Sequence, residues 1–209
     1  MMRRFTSALS LTLLLVAVSA IAQVEPQSQD PIDRVVSAGL MSRDGTGDFR
    51  ANATITRAEL ASILVKAFRL DLRTPVQTPA PPIDVPTNHW AYQDIQTVIR
   101  TGVMLGYGGG RFLPNQRLTR AEAFAIFAQA YGVSQFPEQT IGEILAPYPD
   151  ASAIPSWARL SWATALYGGF VNISTDNLLN PSQPMTRGDI AYALNQFLLQ
   201  ARSPDGQPQ

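Results

Sequence analysis

Three arginines recur in one short motif whose chemistry suits the binding of an anion. The motif is Thr-Arg-Ala-Glu at 56–59 and 119–122, and it becomes Thr-Arg-Gly-Asp at 186–189. The planar arginine fork can hold a carboxylate with two parallel hydrogen bonds. Each arginine also stands at an expected helix start, where free amides and the positive helix end favour negative charge. The candidate ligands are Arg57, Arg120 and Arg187, and the alternative is three solvated surface arginines that merely follow a cap.

The same motif predicts the start of a helix. Thr-x-x-Glu is a capping box, in which the threonine hydroxyl and the glutamate each accept a hydrogen bond from the other's amide. Loss of such a cap costs about 1 kcal/mol. The expected caps are Thr56 with Glu59, Thr119 with Glu122 and, in a shortened and weaker version, Thr186 with Asp189.

An apolar stripe with helical spacing follows each motif. In the first copy it comprises Leu60, Ile63, Leu64, Ala67 and Phe68, and equivalent stripes lie in 123–131 and 190–198. A second, shorter stripe precedes each motif and ends at a glycine, which suits a helix C-terminus. These glycines are Gly39, Gly102 and Gly169.

One helix-loop-helix unit is too small to bury its own stripe, whereas three equivalent stripes can bury one another. We therefore predict an all-α fold of three helix-loop-helix repeats. The three second helices form a central bundle in a pseudo-threefold arrangement, and the first helices surround it.

Composition shifts divide the 209-residue chain into these repeats and their linkers. The predicted division is a signal peptide (1–22), a first repeat clipped at its N-terminus (23–73), a proline-rich linker (74–82), a second repeat (83–133), a linker with a short turn at 141–145 (134–148), a third repeat (149–202) and a disordered tail (203–209).

The N-terminal segment has the pattern of a secretory signal peptide. Arg3 and Arg4 precede an apolar run at 9–18, which is shorter than the roughly 20 residues of a spanning helix. Small residues at 20 and 22 then offer a cleavage site. A membrane anchor and a twin-arginine export signal are the alternatives. Because no later apolar run is long enough to span a membrane, we expect an exported protein that is soluble or peripherally attached.

Composition excludes several classes of site. The chain has no cysteine, which removes disulfides and thiolate metal ligands, and its one histidine cannot form a histidine cluster. The 16 basic and 16 acidic residues balance, so no basic footprint for nucleic acid exists. We expect no metal, no cofactor and no nucleic-acid partner.

The second unit closely resembles the S-layer homology (SLH) motif. The resemblance rests on DVPTNHWA at 84–91, GVMLGY at 102–107, FLPN at 112–115 and LTRAE at 118–122. It extends more weakly to the first and third units, and it leaves no room for a catalytic domain. We therefore expect three tandem SLH repeats without enzymatic activity.

The resemblance implies both a ligand and a place for it. SLH domains bind cell-wall carbohydrate, often an acidic polymer linked to peptidoglycan, in grooves between adjacent repeats. It assigns the ligand contacts to the three motif arginines, to an aromatic residue near a helix start and to loop glycines. On this chain the aromatic residues are Trp90 and Trp157, and the glycines are Gly45 and Gly108.

Departures from the SLH pattern keep other interpretations open. The first unit has Gln27 in place of the tryptophan, and the third replaces the glycine loop with 173–177. One or two grooves could therefore be inactive, and a protein-binding scaffold in the envelope is the alternative function. We interpret His89 as a residue packed beside Trp90 rather than a catalytic group, and the carboxylates around Gly45 as a turn rather than a calcium site.

Overall fold

A computed structural model of the protein describes residues 30–202, apart from the side chain of Arg202. The expected signal peptide (1–22), Gln27 and the expected tail (203–209) lie outside the described residues. Within the described range the fold is all-α, as predicted, with seven α-helices and no extended strand. The helices are α1 (Pro31–Ser37), α2 (Arg57–Phe68), α3 (Tyr92–Arg100), α4 (Arg120–Tyr131), α5 (Glu138–Leu145), α6 (Arg159–Tyr167) and α7 (Arg187–Arg202).

The capping boxes form as the sequence predicts. The hydroxyls of Thr56 and Thr119 accept hydrogen bonds from the third helical amides of α2 and α4, and the glutamates accept the threonine amides in return. The third box also forms, because the Asp189 amide lies 3.1 Å from the Thr186 hydroxyl and the Asp189 carboxylate lies 2.9 Å from the Thr186 amide. These distances match those of the other two boxes, but the third box lacks the bond from the threonine hydroxyl to the carboxylate that both others make, so the weaker cap stays a prediction.

The shorter first helices end at the expected glycines. Gly39, Gly102 and Gly169 follow α1, α3 and α6 with φ values of 71°, 73° and 69°. A side chain at this left-handed conformation would be strained, which is why glycine ends each helix. The chain can therefore turn at once into the loop that leads to the second helix.

The second linker is more ordered than a turn. We expected only a short turn at 141–145, whereas α5 spans Glu138–Leu145 and buries Ile141 and Leu145. These two apolar residues stand one helical turn apart and pack on the core that includes α6. Their spacing was a helix signal that the flanking prolines obscured.

The three second helices meet in the core. Phe68 of α2 lies with its ring centroid 5.3 Å from that of Phe127 in α4 and 4.6 Å from that of Phe197 in α7. The apolar stripes of all three helices are buried or partly buried in one continuous cluster. This contact supports the predicted central bundle, while the pseudo-threefold symmetry itself stays a prediction.

Backbone hydrogen bonds join the repeats in a closed ring. The first amide of α2, at Arg57, donates to Gln116 of the second repeat, at 2.9 Å. The amide of Arg120 donates to Gln183 of the third repeat at 2.8 Å, and that of Arg187 donates to Ala53 of the first repeat at 2.9 Å. The second amide of each helix bonds to the same neighbouring loop. Each repeat is thus bonded to the next, and the third returns to the first.

Candidate functional site

The three motif arginines point into the loop of the following repeat and bind equivalent carbonyl groups there. Nε of Arg57, Arg120 and Arg187 donates to the carbonyl of residue 112, 179 or 49, at 2.7 to 2.9 Å. Nη2 donates to the carbonyl of residue 105, 172 or 42, at 2.6 to 2.7 Å. Each guanidinium therefore forms hydrogen bonds to both ends of the next repeat's loop.

These contacts correct two parts of the sequence interpretation. The amides at the starts of α2, α4 and α7 are not free for an anion, because loop carbonyls and the threonine hydroxyls already bind them. Arg57 and Arg120 are only 5% and 6% exposed, so neither is a solvated surface residue. Their first role is to hold adjacent repeats together.

Burial changes the electrostatics of these two arginines. Desolvation lowers the pKa of Arg57 and of Arg120, and at Arg120 the Asp189 carboxylate opposes that shift by favouring the charged form. Arginine nevertheless stays protonated in proteins, so both groups carry full positive charge. The guanidinium of Arg57 also lies over two rings, at 4.7 Å from Tyr107 and 4.5 Å from Phe112.

A groove of about 450 Å³ opens beside Arg57, and residues from all three repeats line it. The second repeat supplies the loop at 102–107 and one face of α4, including Glu122. The third repeat supplies Trp157, which is 63% exposed. We call this the Arg57 groove; it combines one acid, one base and exposed apolar surface.

A second groove, of about 520 Å³, contains Arg187 and is the most positively charged of the set. Its lining includes Arg43 from the first repeat's loop, Glu59 and Lys66 from α2, and Trp90 from the second repeat. Trp90 is 64% exposed. We call this the Arg187 groove; it has three bases against one acid.

The third groove, of about 550 Å³, contains Arg120, and by the repeat spacing its lining corresponds to a smaller cavity of about 210 Å³ beside Arg187 rather than to the two grooves above. Asn172 and Asp189 of the third repeat line it, and no aromatic residue among the described residues does. Nη1 of Arg120 donates to the side-chain oxygen of Asn172 at 2.8 Å and lies 2.9 Å from the Asp189 carboxylate. We call this the Arg120 groove.

The predicted aromatic residues divide between two grooves. Trp90 stacks on His89 with ring centroids 5.7 Å apart, and His89 Nδ1 accepts the Ala91 amide at 3.1 Å. His89 therefore packs beside Trp90 at the start of α3, as we interpreted it. Trp162 of α6, by contrast, is fully buried, and its indole N–H donates to the Ala121 carbonyl.

The predicted loop glycines do not belong to these sites. Neither Gly45 nor Gly108 lines the Arg57, Arg120 or Arg187 groove, although Gly106 lines the first. Beside Gly45, the Asp44 carboxylate accepts the amides of Thr46 and Asp48, at 2.9 and 3.1 Å. Asp44 thus closes a turn of its own loop, which is the arrangement that we expected there.

Sequence reasoning missed two residues that line the grooves, Lys66 and Asn172. Lys66 is the only lysine of the chain and follows Glu59 by seven residues, which places both on one face of α2. Asn172 is equivalent to Ser42 and Leu105 by the repeat spacing, so a comparison of loop positions would have marked it as unusual. Neither residue belongs to the recurring motif, and this is why both escaped notice.

Residues 21–61 and 84–124 match the S-layer homology domain. These two segments are similar to SLH domains. The matched ranges contain Arg57 and Arg120 with their capping boxes, and they leave out the third helix pair.

Curated relatives carry related sequence in much longer proteins. The chain is 28% identical to a surface-layer 125 kDa protein of Lysinibacillus sphaericus, over 84% of this chain and 14% of the relative. It is 40% identical to cell surface glycoprotein 1 of Acetivibrio thermocellus, over 73% of this chain and 7% of the relative. An amylopullulanase of Thermoanaerobacterium thermosulfurigenes is 27% identical, over 78% and 8%. The chain thus spans less than a fifth of the length of these relatives.

Among residues 30–202, no helix has the length and apolar character needed to cross a membrane.

Proposed function

We propose that the protein is a non-catalytic component of the cell envelope that binds a cell-wall polysaccharide, such as a peptidoglycan-linked polymer, without a covalent bond. The Arg57 and Arg187 grooves hold the sugar. The observation that carries this proposal is that each of these grooves joins a motif arginine to a tryptophan that is about two-thirds exposed. The SLH match and the surface-layer relatives support an anchoring role at the cell surface.

The tryptophans and the arginines have different tasks in this proposal. An exposed indole face offers an apolar plane for a sugar ring, and Trp90 is held in place by its stack on His89. Nη1 of Arg57 and of Arg187 has no hydrogen bond or ion pair within the described residues, so each guanidinium retains a donor for the ligand. The loop carbonyls fix the orientation of that donor.

Charge favours the Arg187 groove for an acidic sugar. Arg43 is already paired with Asp33 at 2.7 Å, but Lys66 is exposed and has no ion pair within residues 30–202. Lys66 and Nη1 of Arg187 can therefore both approach a ligand carboxylate. Binding through these exposed charges should weaken as salt screens them.

The test is co-sedimentation of the protein with sacculi purified from its source, before and after acid stripping of the wall-linked polymer. We expect binding that is lost on stripping. Replacing both Trp90 and Trp157 by alanine should weaken binding about tenfold, which corresponds to about 1.4 kcal/mol. Tyr167→Ala is the matched control, because Tyr167 is also exposed but lines none of the three grooves.

An envelope scaffold that binds protein is the second candidate, and one observation favours it. The motif arginines are largely committed to internal carbonyl groups, so the fold can persist where sugar binding is lost. A scaffold should not sediment with intact sacculi, and it should retain envelope proteins in a pull-down. Binding to sacculi that survives both tryptophan replacements would reject the groove assignment but keep the anchoring role.

A further inference from the structure

The Arg120 groove differs from the other two in what surrounds Nη1 of its arginine. In this groove Nη1 bonds to Asn172 and is paired with Asp189. Asn172 Nδ2 in turn donates to the same Asp189 oxygen, at 2.7 Å. Arginine, asparagine and aspartate therefore form a closed set of contacts with no donor left over on this side of the guanidinium.

Asp189 performs two tasks that its equivalents do not combine. In the first and second repeats the glutamate uses one oxygen, Oε2, for both the threonine amide and the threonine hydroxyl. Asp189 uses Oδ2 for the Thr186 amide and directs Oδ1 to Arg120 and Asn172. The shorter side chain thus serves as a helix cap and as a counter-ion at once.

Burial makes this internal pair hard to displace. Arg120 is 6% exposed and Asp189 is 9% exposed. A ligand carboxylate that took the place of Asp189 would leave a buried carboxylate without its cation, and such a group is strongly disfavoured. The space in the groove is therefore open, but its cation is already neutralised.

We propose that Asp189 closes the Arg120 groove to anionic sugars by occupying the position on the guanidinium that a ligand carboxylate would take. Asn172 is a positioning residue that orients both partners. The inference rests on the proposed function, since it assumes that the other two grooves bind sugar. The protein then has two binding grooves and one groove that only joins the second repeat to the third.

The probe for this proposal is N-acetylmuramic acid, and N-acetylglucosamine, which lacks the carboxylate, is its matched control. We would follow amide signals by NMR at Asn172 and Ser174 for the Arg120 groove and at Ser42 and Leu105 for the others. In the wild type the acidic sugar should leave the signals of Asn172 and Ser174 unshifted. Equal, saturable shifts at all four residues would overturn the proposal.

Two variants should open the closed groove. Asp189→Asn removes the competing charge, and Asp189→Glu keeps that charge but restores the side chain of the other two boxes, whose second oxygen leaves the arginine free. Each should gain saturable shifts at Asn172 and Ser174, with at least a tenfold tighter apparent Kd for the acidic sugar. Folded variants without this gain would overturn the proposal, and if neither folds, the wild-type titration decides.

This result can be separated from the proposed function. A wild type that fails to sediment with sacculi contradicts wall binding. The gain at Arg120 is measured on a soluble probe and does not depend on sacculi.

Discussion

Arg120 and Arg187 bind the backbone of the next repeat in the same way, and the two arginines differ in what their Nη1 atoms contact. In both, Nε and Nη2 hold equivalent loop carbonyls of the next repeat. In the Arg120 groove Nη1 forms an ion pair with Asp189. Arg187 has no such pair in the part of the chain that the structure describes, and the lining of its groove includes Lys66 and the exposed Trp90. The recurring arginine therefore holds adjacent repeats together in every repeat, and under the proposed function it contacts the ligand in only two grooves.

The comparison also explains why a repeat cannot be judged by its own residues. The second repeat carries the fullest SLH motif, yet its members lie in different grooves. Trp90 lines the Arg187 groove, its loop at 102–107 lines the Arg57 groove, and its arginine lies in the Arg120 groove. A defect in one repeat thus weakens neighbouring grooves as well as its own.

The largest expected effect separates the two arginines by their contribution to folding. Arg120→Ala removes one partner of a buried ion pair and should lower the free energy of unfolding by about 3 to 5 kcal/mol. Arg187 is half-buried and has no ion pair within the described residues, so Arg187→Ala should lower it by only about 1 to 2 kcal/mol. Denaturant titrations of the two variants measure both values.

The control for this comparison is wall binding by the two variants, measured under conditions in which both are folded. From the sequence alone we expected Arg120 to be a ligand contact, and the buried ion pair revises that expectation. Equal losses of stability in the two variants would contradict the distinction between the grooves. A stable Arg120→Ala protein with lost binding would restore the original interpretation.

The sequence predicted the elements of this fold but not the composition of its grooves. Local signals were sufficient for the capping boxes and for the glycine ends of the first helices. Those features depend on residues a few positions apart. The Arg57 groove depends on loop and helix residues brought together from three repeats, and no local pattern determines which loop an arginine will reach.

A smaller effect concerns the carboxylates that anchor the loops of these grooves. Asp84 accepts the amides of Phe112 and Leu113, both at 2.8 Å, and Asp150 accepts the equivalent amides of the third repeat. Partial burial would raise the pKa of Asp84, but the two amide hydrogen bonds outweigh it and lower the pKa. Asp84→Asn should therefore cost about 1.5 kcal/mol at neutral pH.

The pH dependence of this anchor has a definite sign. Because the folded pKa of Asp84 lies below its ordinary value of about 4, the stabilisation is complete above that value and is lost as the pH falls through the lowered pKa. Denaturant midpoints of wild type and Asp84→Asn should thus differ at pH 7 and converge as the pH falls below the lowered pKa. A difference that persists in acid would show that the amides do not depend on the charge.

The smallest effect is a gain of stability in the loop that lines the Arg187 groove. Arg50, Leu113 and Asn180 are equivalent residues with φ values of 56°, 58° and 53°, a conformation that asparagine tolerates better than other side chains. Arg50 is exposed, so little packing is lost when it is replaced. Arg50→Asn should raise the free energy of unfolding by about 0.5 kcal/mol and the melting temperature by about 1 to 2 °C. Arg50→Ala removes the same charge without the tolerance of asparagine and should show no gain; an equal gain in both variants would assign the effect to charge rather than to backbone strain.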